Sequence, residues 1–186
     1  MERIFRSCLR SALVTVCGLA LVLTAIVLVL MGILAANHGL PQTDEAYISG
    51  IIGAELLAYQ EKTGKDTHGG FHGDGSAWFV YAFDESQAEK LEEEISASPD
   101  WRSLPMTKTS ERFLFGGEDD GVVYAAHAGA SGFVLPQTGY WFILDEKAEE
   151  AQQYSDAHFL DRHSINVKFA VYDADRRELL FYELDT

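Results

Sequence analysis

The strongest pattern in the chain is an uncharged run of 25 residues, from Ala12 to Ala36, which contains no Asp, Glu, Lys, Arg, Asn or Gln. As an α-helix rising 1.5 Å per residue, such a run reaches roughly 37 Å, which is longer than the ~30 Å hydrocarbon core of a bilayer. The pattern predicts one N-terminal transmembrane helix. It divides the chain into a short leading segment (1–11), the span (12–36), a linker (37–43) and a C-terminal domain (44–186).

The flanks of the run distinguish an anchor from a cleaved signal peptide and set the orientation. A signal peptide has a shorter apolar region, of about 7–15 residues, and ends in a small-residue cleavage site. Cleavage after Ala36 would place the bulky Leu34 at the third position back. Three arginines precede the run, and the next basic residue after it is Lys62. Because basic flanks stay in the cytoplasm, we expect a retained signal-anchor in the cell membrane, with a cytoplasmic N-terminus and an extracytoplasmic C-terminal domain.

Apolar residues at three- and four-residue steps predict a helix over residues 44–63, with Gly64 placed to end it. Its apolar stripe comprises Ile48, Ile51, Ile52, Leu56 and Tyr59. The stripe packs either on its own domain, which is the usual arrangement, or on a partner helix.

A second helix is predicted after Asp84, which forms a capping-box pattern with Gln87. Ala88, Leu91 and Ile95 follow at helical spacing, and Pro99 lies beyond the expected end. Residues 146–154 form a third, more polar helical stretch.

Six segments have the β-branched and aromatic content of strands. They are residues 77–83, 112–116, 121–126, 140–144, 165–172 and 179–184. The second and third are predicted to form one hairpin, and the last two another. In 165–172 apolar residues alternate with Asn166, Lys168 and Ala170, which is typical of a half-buried strand. Hairpins with only one strand–helix–strand passage predict an α+β domain on a mostly antiparallel sheet.

Charge narrows the choice of partners. The chain carries 14 Lys and Arg against 29 Asp and Glu. Three of the basic residues and one acidic residue precede the apolar run, which leaves 11 and 28 beyond it, a net of −17. Such a domain repels nucleic acid. Both cysteines, Cys8 and Cys17, lie in or before the span, so the outer domain is expected to fold without disulfides.

Residues 66–75 concentrate the candidate chemistry, because two histidines and two aspartates lie there among four glycines. Imidazole and carboxylate groups bind transition metals such as zinc, and glycines let the backbone bring ligands together. His68, His72 and Asp74 are therefore the candidate ligand-binding or metal site. The structural alternative is a glycine-rich connection into the next strand. Gly69 also stands where a helical metalloprotease motif requires Glu.

Two functions of different class remain open on this sequence, and no catalytic residue is assigned. The leading hypothesis is a non-enzymatic, membrane-tethered module that binds or senses something at the cell surface, through His68, His72 and Asp74 or through exposed aromatics such as Trp101. The alternative is a metal-dependent hydrolase in which the same three residues hold a metal that generates hydroxide near neutral pH. A further ligand would then come from His127, His158 or His163. In a third interpretation, the 44–63 helix holds a membrane or surface protein partner.

Several short segments carry a family resemblance: Gly-Gly-Phe-His-Gly-Asp-Gly, Phe-Asp-Glu-Ser, Pro-Asp-Trp-Arg-Ser-Leu-Pro-Met, Val-Tyr-Asp-Ala-Asp and the closing Leu-Phe-Tyr-Glu-Leu-Asp-Thr. They resemble small uncharacterised membrane-anchored proteins of Gram-positive bacteria, over residues 66–106 and 162–186. The resemblance implies a bacterial origin. It carries over no activity and no catalytic residue.

Overall fold

The computed structural model describes residues 23–24, 43–56, 58–69 and 74–186. The strands of its main sheet are β1 (Glu61–Asp66), β2 (Gly75–Ala82), β3 (Arg102–Ser103), β6 (Gly139–Asp145), β7 (Asn166–Asp173) and β8 (Glu178–Asp185). Their order is β1-β2-β8-β7-β6-β3, and every neighbouring pair is antiparallel. A separate hairpin consists of β4 (Gly117–Asp119) and β5 (Val122–Tyr124), and the helices are α1 (Asp44–Ile52), α2 (Glu85–Ala97) and α3 (Lys108–Phe115). The predicted α+β domain with a mostly antiparallel sheet is confirmed.

The predicted span lies outside the described residues, apart from Leu23 and Thr24, which are helical. Within the described ranges no helix has the length and apolar character needed to cross a bilayer. The transmembrane helix and the segments on either side of it therefore stay predictions. Residues Asp44–Thr186 form one compact unit.

The first helix is shorter than predicted, because α1 ends at Ile52 and not near residue 63. Gly53 follows with φ +67°, and its N–H donates to the Ser49 carbonyl oxygen at 3.0 Å. A left-handed glycine after the last helical turn ends a helix in this way. Ile48 and Ile52 are buried in the domain's own core. The stripe therefore packs on its own domain, while the polar segment Glu61–Asp66 is a strand at the edge of the sheet.

The second helix is as predicted. The Asp84 side chain accepts a hydrogen bond from the Gln87 N–H at 2.9 Å, and the Gln87 side chain accepts one from the Asp84 N–H at 3.1 Å. This reciprocal capping box satisfies two backbone donors at the start of α2. Ala88, Leu91 and Ile95 are buried against the sheet.

Two other predictions were wrong. Residues 112–115 belong to α3 and not to a strand, because Thr107 caps the helix by accepting from the Ser110 N–H. Ser110, Phe113 and Leu114, spaced three and four residues apart, form its buried face. A hairpin does form in this region, but its first strand is β4, Gly117–Asp119, and not residues 112–116. In the polar stretch 146–154 the helical part is a single 3-10 turn, Glu150–Gln152.

Both faces of the sheet are covered. The face toward α1 and α2 packs Tyr81, Phe142 and Phe181. The opposite face, toward α3, packs Phe169, which is fully buried. Strand β7 is consequently buried on both sides rather than half-buried as predicted, and even Lys168 is only 3% exposed. The β7–β8 turn is confirmed, since Asp173 accepts from the Arg176 N–H at 2.9 Å.

Candidate functional site

The predicted histidine–glycine site is described only in part. Residues 67–74 connect β1 to β2, and Thr67 N–H donates to the Ser76 carbonyl oxygen at 2.9 Å, which closes the base of the connection. His68 Nδ1 lies 2.7 Å from Asp66 Oδ1, while its buried Nε2 has no hydrogen-bond partner. His72 falls outside the described residues, and Asp74 is exposed. Among the described residues no group of three His, Cys, Asp or Glu side chains is placed to hold a metal ion.

The remaining candidate histidines occupy different environments. His158 is exposed and pairs with Asp161 at 3.0 Å, one helical turn away. His163 is also exposed. His127 instead stacks on the Phe113 ring, with ring centroids 4.3 Å apart. His127 lines an apolar cleft, whereas His158 lines a polar cavity with Asp161 and Arg162.

Trp101 does not form an exposed docking surface, so that prediction was wrong. Its side chain is 6% exposed, and its indole N–H donates to the Ile52 carbonyl oxygen at 2.8 Å. The ring also packs against Phe142. Because Trp101 joins the end of α1 to the sheet, its role is structural.

A mainly apolar cleft lies beside α3. We call it the Phe113 cleft. Its volume is about 310 Å³, and its walls are mainly apolar: Phe113, Tyr124, Ala125, Leu160, Ile165 and Leu184. Small-molecule sites are typically concave, apolar and about 300–1,000 Å³ in volume. The cleft therefore lies at the lower end of that size range.

Four separate parts of the chain build the Phe113 cleft. Helix α3 contributes Phe113, the β4–β5 hairpin contributes Tyr124, a 3-10 turn, Phe159–Asp161, contributes Leu160, and β8 contributes Leu184. Gly116 allows the hairpin to fold back on α3, since a Cβ there would lie 2.7 Å from the Tyr124 carbonyl oxygen. Asp120 and Gly121 both have positive φ, 48° and 78°, as a two-residue Asp-Gly hairpin turn requires.

Polar groups are few in the Phe113 cleft. Partial burial lowers the pKa of His127 below its usual value, so the imidazole is neutral at pH 7. The Tyr182 hydroxyl lies 3.5 Å from His127 Nδ1, and burial raises the pKa of Tyr182 to about 12. Both groups are therefore uncharged at neutral pH.

The charged residue of the Phe113 cleft is Arg112. Its Nη2 lies 2.7 Å from Asp119 Oδ2, and its guanidinium carbon lies 5.6 Å from the centre of the Tyr124 ring. These two contacts attach the β4–β5 hairpin to α3. Both partners of the ion pair are partly exposed, at 27% and 40% of their side-chain surface.

Comparison of the chain with protein-family models, curated proteins and solved structures finds no match.

The chemistry of the Phe113 cleft suits binding better than catalysis. Its walls are mainly hydrocarbon and aromatic, and its polar groups are the neutral His127 imidazole, the Arg112 guanidinium and the hydroxyls of Thr109 and Tyr124. A hydroxyl–carboxylate pair at α3 is Ser110 with Asp156, whose atoms lie 2.7 Å apart. Ser110 is fully buried, so this pair fixes the start of α3 and does not meet a substrate. Sequence reasoning missed the cleft because its walls come from segments far apart along the chain.

Proposed function

We propose that this protein is a membrane-anchored, non-catalytic binding module, with its N-terminus in the cytoplasm and its acidic domain outside the cell membrane. The uncharged 25-residue run, preceded by three arginines, supports the anchor and its orientation. The bacterial origin implied by the resemblance fits a surface role. The observation that carries the binding function is the Phe113 cleft.

The surface next to the Phe113 cleft also favours binding. Val122 is 53% exposed, Tyr124 is 36% exposed and Leu160 is 47% exposed. Val122 and Tyr124 lie on the same side of β5, since side chains alternate along a strand. Together with Leu160 they extend the apolar wall toward solvent, where a ligand or partner enters. This contact replaces the predicted one at His68, His72 and Asp74 as the leading proposal.

The binding function is tested with 1-naphthol, a neutral and water-soluble apolar probe. The full chain in lipid nanodiscs is dialysed against the probe, and empty nanodiscs give the background. We expect saturable binding that Leu160→Glu weakens at least about tenfold, because a ligand bound against this wall would remove water from the new carboxylate.

Val134→Glu is the matched control for this experiment. Val134 is 62% exposed and does not line the Phe113 cleft. The variant should bind 1-naphthol as the unmodified chain does. Equal binding by both glutamate variants and the unmodified chain would contradict the proposed use of this cleft.

The orientation predicts that protease added to intact cells degrades the 44–186 domain. A variant that replaces the arginines at positions 3, 6 and 10 with Gln, and the residues at positions 37 and 38 with Arg, moves the basic residues from the N-terminal to the C-terminal side of the apolar run. We expect a substantial fraction of that variant to be protected, as judged by immunoblotting of a C-terminal epitope. Protection of the unmodified domain in intact cells, with cleavage only after permeabilisation, would refute the orientation.

A metal-dependent hydrolase is the second candidate, and one contact favours it. The Asp66–His68 hydrogen bond resembles the carboxylate that commonly supports a metal-bound histidine, and it leaves His68 Nε2 as the available nitrogen. His68, His72 and Asp74 would then be the metal ligands, with zinc as the ion.

The metal assignment predicts one zinc per chain after dialysis of the full-length protein, measured by atomic emission. His68→Ala and His72→Ala should each remove it, whereas His163→Ala should retain it. A folded, metal-free unmodified chain would eliminate this candidate.

A further inference from the structure

We propose that the Phe113 cleft selects small apolar monocarboxylates, with the hydrocarbon body against Phe113 and Leu160 and the carboxylate at Arg112. The inference deepens the proposed binding function and depends on it. It assigns the chemical class of the ligand from the charge, the size and the wall chemistry of the cleft.

Charge gives the first argument. Acidic residues outnumber basic ones 29 to 14 in the chain. Among the described residues that line the Phe113 cleft, however, the charged side chain is a cation, Arg112. A cationic wall within an acidic domain favours an anionic group in the cleft and disfavours a second cation.

The existing ion pair leaves Arg112 able to bind a second carboxylate. Asp119 contacts Nη2 of the Arg112 guanidinium. A guanidinium carries five N–H donors in a planar fork, so donors remain for a second carboxylate. The Arg112–Asp119 ion pair is partly exposed, so water screens it. Breaking the pair, or sharing Arg112 with a ligand, therefore costs little free energy. Asp119 also competes with the ligand, which makes it a useful position for mutation.

The size of the cleft and the chemistry of its walls define the hydrocarbon part of the ligand. About 310 Å³ accommodates one or two rings or a short acyl chain, and not a large ligand. His127, stacked on Phe113, presents a flat ring surface, while Leu160, Ile165 and Leu184 are aliphatic. Because His127 is neutral, Arg112 is the group that distinguishes a carboxylate from an amine.

The test compares matched pairs of compounds by calorimetry, using the full chain in phosphatidylcholine nanodiscs with empty nanodiscs subtracted. Naphthalene-1-carboxylate is compared with 1-naphthylmethylamine, and octanoate with octylamine. We expect the carboxylates to bind at least about tenfold more tightly than the amines. The carboxylate that binds more tightly shows whether the cleft prefers an aromatic or an acyl hydrocarbon group.

Two variants assign the preference to Arg112. Arg112→Gln should lower the ratio of carboxylate affinity to 1-naphthol affinity about tenfold, a ratio that a general loosening of the cleft would not change. Asp119→Asn should strengthen carboxylate binding, because it removes the competing anion while keeping a hydrogen-bond acceptor. The Asn variant, at a partly exposed position, also controls for loss of folding.

The outcomes separate this inference from the function on which it depends. Equal affinity for carboxylates and amines, with 1-naphthol still bound, would overturn the ligand class but keep the binding module. Carboxylate binding that Asp119→Asn weakens would overturn the role of Arg112. Absence of binding by all five compounds would overturn both proposals.

Discussion

Gly139→Ala is expected to remove about 3 kcal/mol or more from the free energy of unfolding. Gly139 begins β6 with φ +129°, a region that L side chains rarely adopt. A Cβ there would lie 1.9 Å from the Tyr172 carbonyl oxygen in β7. The neighbouring backbone cannot withdraw without breaking the pairing of Gly139 with Asp173. Urea unfolding followed by tryptophan fluorescence measures the change.

Gly132→Ala is the matched control for Gly139→Ala. Gly132 also has a positive φ, +73°, but no heavy atom lies within 4 Å of the added Cβ. Its substitution should cost about 1–2 kcal/mol, from backbone strain alone. An equal loss of stability in both variants would show that the close contact with the Tyr172 carbonyl oxygen does not prevent a side chain at position 139.

Lys168→Met is expected to destabilise the domain by about 3 kcal/mol. Lys168 is 3% exposed, and its Nζ lies 2.6 Å from Glu146 and 3.4 Å from Glu183. Removing one partner of a buried ion pair costs about 3–5 kcal/mol, because the other charge stays buried and unpaired. Glu146 is 41% exposed, which places the expected loss at the lower end of that range. The same urea titration measures it.

Glu183→Gln in the Lys168→Met background should recover part of this loss. Glutamine removes the unpaired charge and keeps an oxygen to accept from the Tyr47 hydroxyl, which now donates to Glu183 at 2.8 Å. Lys90→Met, at an exposed lysine of α2, should change stability by less than about 0.5 kcal/mol. If Lys168→Met costs no more than Lys90→Met, the buried ion pair does not stabilise the fold.

The sheet's central strands were predictable because local chemistry and burial agree there. Residues 140–144 and 179–184 lie within the observed β6 and β8. The capping box of Asp84 and Gln87 marked the start of α2 to the residue. In these places propensity, hydrophobic spacing and backbone capping all favour one structure.

The errors occurred where tertiary contacts override local preference. Strand β1 has the sequence Glu-Lys-Thr-Gly-Lys-Asp and no apolar alternation, because it is held by backbone pairing with β2 and not by side-chain burial. Phe113 and Phe115 favoured a strand by their aromatic content, but the Thr107 cap and helical spacing determine α3. Trp101 could not be recognised as buried before the end of α1 was known.

The candidate site was the least predictable part. His68, His72 and Asp74 were prominent because they lie within seven residues of one another. Phe113, Leu160 and Leu184 are individually ordinary apolar residues, and only folding brings them to one cleft. A sequence motif reports ligands that are close along the chain, so a cleft built from distant segments leaves no such signal.

The charged edge of the main sheet has a consequence under the proposed membrane anchoring, which would hold copies of the protein side by side. Strand β1 is a terminal strand, and four of its six residues are charged. Exposed strand edges can pair between molecules, and charged residues oppose that pairing. Crowding of anchored domains in two dimensions would raise their local concentration. The lysine and carboxylate side chains of β1 oppose the pairing of this edge with a strand of another copy.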